Sequence, residues 1–90
     1  MAIEPYRSTP VFDQDSLPSA LRQRHNTKEG VWGLVRIIEG SLRLVYLDPQ
    51  SEIVLDSVTP GLLLPGQPHF VEPLGPMKMR VEFYHGPPEI

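Results

Sequence analysis

Two histidines, His25 and His69, carry the clearest capacity for chemistry in this chain. An imidazole nitrogen is the commonest protein ligand for zinc, iron, nickel and copper, and two that converge supply half of a mononuclear site. A stable site ordinarily takes at least three protein ligands, with water at the open position. Glu82 is the candidate third ligand, provided the Lys78, Arg80, Glu82, Tyr84 face of its strand turns toward the histidines. The opposite register puts Met79, Val81 and Phe83 inward and costs less, because it buries no charge. In that register Glu82 forms a surface ion pair with Arg80 or Lys78. Glu72 follows His69 by three residues and so lies on the opposite face of its strand. His85, beside Gly86-Pro87-Pro88, reads as solvated and without a role.

Other chemistries find little support. There is no cysteine, which removes thiolate ligands, disulfides and a thiol nucleophile together. None of the serines sits in a motif that would place it beside a histidine on a strained turn. Trp32 and Tyr84 are candidate aromatic walls for a ligand pocket, which typically combines such walls with a few polar groups. Arg24 and Lys28 flank His25 and could hold an anion at the mouth of such a pocket. The plainer reading makes Trp32 a core residue and the two cations solvated.

The elements that must position these groups are short and extended. Val31-Trp32-Gly33-Leu34-Val35-Arg36-Ile37-Ile38 is β-branched and aromatic, and Glu39-Gly40 closes it as a hairpin turn. Leu42, Leu44 and Tyr46 alternate with Ser41, Arg43 and Val45, the pattern of a half-buried strand. Further strands are expected at 9–13, 21–26, 52–56, 62–64, 69–72 and 77–84, each ended by a proline or glycine turn. Asp15-Ser16-Leu17-Pro18-Ser19-Ala20-Leu21, a capping residue followed by proline in the first turn, supports one short helical turn and no more. Residues 1–8 and 86–90 read as loose termini of a single domain, 1–90.

Composition agrees. The 11 prolines and 7 glycines among 90 residues are spread along the chain as punctuation between strands. Seven or eight short strands at near-regular spacing suggest a sandwich or barrel. A net charge of −3 without a basic stripe argues against nucleic acid as partner. No apolar run is long enough to span a bilayer, and the N-terminus lacks the features of a signal peptide, so a cytoplasmic location without membrane association is expected. A domain this small, with exposed edge strands, favours self-association, a symmetric dimer being the commonest form.

Two stretches narrow the fold. His25-Asn26-Thr27-Lys28 with Trp32-Gly33 and Glu39-Gly40, and then Pro65-Gly66-Gln67-Pro68-His69-Phe70-Val71-Glu72, resemble worn versions of the paired cupin motifs. With Thr9-Pro10-Val11-Phe12-Asp13, Leu17-Pro18, Pro73-Leu74-Gly75-Pro76 and Val81-Glu82-Phe83-Tyr84, the chain is similar to the tellurite-resistance protein B-like, YeaR-like family of small cupin-like proteins. That resemblance implies an all-β, cupin-like (double-stranded β-helix or jelly-roll) barrel. It also implies that His25 and His69 face a common lumen. In the cupin pattern Thr27 stands at the second histidine position, and Trp32 lies near where a glutamate would fall. Some longer relatives join such a domain to a methyltransferase domain. This chain has no glycine-rich loop between a strand and a long helix, so that activity is not expected of it.

Two functional expectations follow. In the first, His25 and His69 anchor a divalent metal (zinc, iron or nickel), Glu82 or water completes the shell, and a small polar or anionic ligand binds beside Trp32, Thr27, Lys28, Arg24 and Tyr84. In the second, the domain is a metal-free, stress-associated binding or assembly module with structural histidines. Whether either catalyses a reaction is left open. The first requires the two imidazoles to share one hollow, with ring nitrogens on the order of 5 Å apart if metal bonds near 2 Å bridge them.

Overall fold

The computed structural model describes residues 4–88. It is all-β, with a single 3-10 turn at Ser19–Arg22. Nine strands run in chain order: β1 (Arg7–Ser8), β2 (Phe12–Asp13), β3 (His25–Asn26), β4 (Trp32–Glu39), β5 (Leu42–Leu47), β6 (Gln50–Leu55), β7 (Gly61–Leu63), β8 (Pro68–Pro73) and β9 (Lys78–Tyr84). They form two antiparallel sheets. One has the order β1-β9-β4-β7, with β2 also on β9; the other has the order β3-β8-β5-β6.

The core lies between the two inner faces, which the pairing registers identify. On the first sheet Val35 sits opposite both Val81 and Gly61, and Ile37 opposite Met79. On the second, Leu44 sits between Val71 and Ile53, and Leu42 opposite Leu55. Leu42, Leu44, Leu55, Val35 and Met79 are sealed from solvent, and Leu17 closes one end. Burial of each such side chain contributes roughly 1.5–3 kcal/mol against an exposed one. Gly61 lets the sheets approach: a Cβ there would come within 2.6 Å of Leu55 Cδ1 and 2.8 Å of Leu44 Cδ2.

Three boundaries differ from the sequence expectation. Residues 7–8 are not loose: β1 pairs along β9, with Arg7 opposite Phe83 and the Tyr6 amide donating to the Phe83 carbonyl at 2.9 Å. The edge of β9 away from β4 needs partners, and this segment supplies them. The helical turn begins at Ser19, because Asp13 instead gathers the Asp15 and Ser16 amides on its Oδ1 at 2.8 Å each and folds residues 13–16 into a tight turn. The stretch 21–26 is a strand only at His25–Asn26, since the 3-10 turn occupies its first half.

Gly40, in the β4–β5 turn, has a φ of +74°, and a Cβ there would collide with the Pro76 carbonyl oxygen. Gly30 has a similar φ of +77° with open space around it. Gly30→Ala should therefore cost only the left-handed strain, about 1–2 kcal/mol. Gly40→Ala should cost measurably more, because a backbone oxygen cannot move aside as a side-chain end can. Equilibrium denaturation of the two variants checks this; equal losses would remove the steric argument.

Candidate functional site

A short ladder on the second sheet assembles the site. His25 on β3 is the cross-strand partner of His69 on β8, and His69 is in turn the partner of Tyr46 on β5. Side chains directly opposite in neighbouring strands share a face. This row of rings therefore points into the space between the sheets. The two imidazole centroids are 4.2 Å apart, with their planes at 70°, an edge-to-face contact. Thr27, two residues beyond His25, follows on the same face.

Each imidazole is oriented by a carbonyl two residues before it. His69 Nδ1 is 2.8 Å from the Gln67 carbonyl oxygen, and His25 Nδ1 is 3.0 Å from that of Gln23. A carbonyl oxygen only accepts, so both Nδ1 atoms carry the proton and donate. In the neutral ring that leaves Nε2 as a bare acceptor. His69 is only 1% exposed. Burial pushes its pKa below the usual histidine value; the Gln67 carbonyl opposes this and the neighbouring His25 adds to it. Thr27 is 6% exposed, and its hydroxyl is buried without a hydrogen-bond partner among the described residues.

These groups line a cavity of about 290 Å³ whose remaining walls are mostly apolar, including Val35, Val71, Met79, Val81 and Phe83. Lys28 and Arg7, both exposed, lie on its border, and no Asp or Glu is among the described lining residues. Of the residues singled out from sequence, His25, His69, Thr27 and Lys28 meet here. Arg24 is exposed and does not border the cavity.

Glu82, Tyr84 and Trp32 lie on the other side of the first sheet. Because Val81 and Phe83 of β9 wall the cavity, Glu82 and Tyr84 must face outward, and Trp32, opposite Tyr84 in register, goes with them. Glu82 cannot join the histidines as a ligand, and Trp32 and Tyr84 do not line the pocket. Glu82 is instead 8% exposed, at the centre of an ion-pair network. Arg36 Nε lies 3.0 Å from its Oε1, Arg80 Nη2 3.1 Å from its Oε2, and the Tyr84 hydroxyl donates to Oε1 at 2.9 Å. Burial pushes the Glu82 pKa up, but the bonds from Arg36, Tyr84 and Arg80 outweigh it and hold the carboxyl below its usual range. No cluster of three or more His, Asp or Glu side chains suited to a metal occurs among the described residues.

Sequence reasoning missed Arg7 and Tyr6. Both reach the cavity only because β1 adds to β9, a pairing with no local signature. His85, expected to be solvated, is exposed and stacks on Tyr6 with centroids 3.8 Å apart. Tyr46 was read only as a strand residue, yet its hydroxyl donates to the Leu62 carbonyl at 2.6 Å and ties the two sheets together.

Fold and site together define a small two-sheet β domain with one polar cluster in an otherwise apolar hollow. The chain belongs to the TehB-like domain family, which it matches over residues 7–81. It is 33% identical over 69 residues to the probable S-adenosyl-L-methionine-dependent methyltransferase TehB of Haemophilus influenzae. That match covers 76% of this chain and 23% of that protein, so the chain spans about a quarter of the curated relative's length. The crystal structure of H. influenzae TehB superposes with a TM-score of 0.83 at 27% identity, over 92% of this chain and 31% of that one. A crystal structure of a protein from Escherichia coli K12 has a TM-score of 0.84 at 18% identity, over 96% and 93% of the two chains, and shows the same fold.

Two outcomes test the local energetics. Thr27→Val keeps the side-chain shape and removes an unpaired buried hydroxyl, so the variant should be more stable than the parent by about 1 kcal/mol in denaturant unfolding; a loss of that size would mean the hydroxyl is satisfied in solution. Below about pH 6.5 the unfolded chain takes up a proton at residue 69 that the folded chain resists. Stability should therefore fall as pH drops from about 6.5 toward the lowered folded pKa, and His69→Gln should flatten that slope. An unchanged slope would assign it elsewhere.

Proposed function

We propose that the domain is a receptor for a small anionic ligand, held in the cavity between the sheets with its negative group toward Arg7 and Lys28. The observation that carries this reading is charge. On a chain of net charge −3, the cavity border holds two cations and no described carboxylate. Such a cleft, walled by low-dielectric side chains, concentrates anions. Apolar walls with few polar groups are the usual make-up of a small-molecule site.

Neither group suggested by kinship fits these residues. A three-ligand metal centre lacks its third protein group, since Glu82 is engaged by two arginines behind the sheet. S-adenosyl-L-methionine carries a sulfonium cation and ribose hydroxyls that a carboxylate would suit, and the cavity border offers Arg7 and Lys28 instead. In this reading the activity named for the H. influenzae relative resides in the part of that protein which the match does not reach.

The test is calorimetric titration and thermal melting with benzoate, hexanoate and phosphate, beside benzamide and hexanamide as uncharged controls. At least one anion should bind saturably and raise the melting temperature while its neutral counterpart does not. Lys28→Gln combined with Arg7→Gln should weaken that binding about tenfold or more, since each charged hydrogen bond contributes roughly 1.5–3 kcal/mol. Stoichiometric zinc, iron or nickel retained through purification, and lost in both His25→Ala and His69→Ala, would overturn the reading in favour of a metal site.

A further inference from the structure

The inner end of the cavity has a chemical preference different from that of its rim. Both Nδ1 protons are committed to the Gln67 and Gln23 carbonyls, so each neutral imidazole offers only the lone pair of Nε2 to a guest. Two acceptors in adjacent rings cannot satisfy one another. Thr27 Oγ1 lies on the same wall, buried and with no described partner. Burying a polar atom without a partner is costly, as at Thr27 Oγ1, and the two Nε2 lone pairs beside it call for a guest that donates.

We propose, resting on the reading of the cavity as an anion receptor, that its ligands are hydroxy acids. The carboxylate faces Arg7 and Lys28, and a hydroxyl enters the pocket, donates to a histidine Nε2 and accepts from or donates to Thr27 Oγ1. An ammonium would also donate to the imidazoles, but the two cations at the border and the absence of a carboxylate among the described lining residues disfavour a positive guest. A second carboxylate placed inward would meet two lone pairs. A hydroxyl is the group that answers both ends. Sites built to hydrogen-bond a hydroxyl discriminate strongly against analogues lacking it, because their own polar atoms are then left unpaired.

The experiment compares 4-hydroxybenzoate and 6-hydroxyhexanoate with benzoate, hexanoate and the two methyl ethers, by calorimetry on the full chain. At least one hydroxy acid should bind tenfold or more tighter than both its deoxy and its methoxy counterpart. Thr27→Val, which keeps the shape of the wall, should shrink that ratio by at least threefold, by weakening the hydroxy acid, strengthening the deoxy acid, or both. Nitrogen-15 spectra of the histidine rings should show Nε2 unprotonated at neutral pH, with its shift moving when the hydroxy acid is added and not with the deoxy acid. If deoxy and hydroxy acids bind equally, or if Nε2 carries the proton, the hydroxyl assignment fails and the anion receptor stands. If neither a carboxylate nor phosphate binds, both fail.

Discussion

The pleat parity of β9 governs this molecule. Successive side chains on a strand alternate between faces, so one choice of register sends Met79, Val81 and Phe83 to one side and Arg80, Glu82 and Tyr84 to the other. Burying the apolar set costs nothing electrostatically, whereas the reverse would put a guanidinium and a carboxylate between the sheets. From that choice follow an apolar cavity wall, a histidine pair without an acidic neighbour, and a network on the opposite face. There, Arg36 and Arg80 are like charges directly opposite across β4 and β9, a destabilising pair by itself. Glu82 bridges both, which explains why a carboxylate is tolerated at so little exposure.

Much of the architecture was legible in the residues. β4, β5, β8 and β9 have the alternation and β-branched content that identify strands, and proline–glycine turns separate them. β1 was not, because two polar residues carry no periodic signal and pair only where a neighbour leaves an edge open. The contact of His25 with His69 rested on likeness to cupins and not on spacing; the 43 intervening positions contain nothing that forces adjacency. Glu82 shows the limit of reading residue type alone. A carboxylate near the end of a strand looks like a ligand until the parity of its strand is decided.

The polar cluster also depends on backbone geometry that composition cannot reveal. Each histidine is held by the carbonyl two residues back, so the extended path before it sets which ring nitrogen is available. The Gly66 amide donates to the Thr27 carbonyl at 2.9 Å and the Asn26 side chain to the Gly66 carbonyl at 3.1 Å, which pins the short β3 beside β8. Four polar contacts thus fix one wall on which the Thr27 hydroxyl has no partner among the described residues. The fold spends its hydrogen bonds on placing the site and leaves the site's own atoms open.

One consequence concerns the order in which the chain leaves the ribosome. Of the described strands, the one at the centre of the first sheet is made last: β9 pairs with β1, β2 and β4, all of which precede it by dozens of residues. Until it emerges, only β4 and β7 of that sheet can associate, and the edge of β4 that β9 will pair keeps its amides and carbonyls open. Such distant pairings delay closure and leave the nascent segment in need of shielding. Whatever stalls synthesis before residue 78 therefore releases a half-built sheet with a long strand edge unpaired.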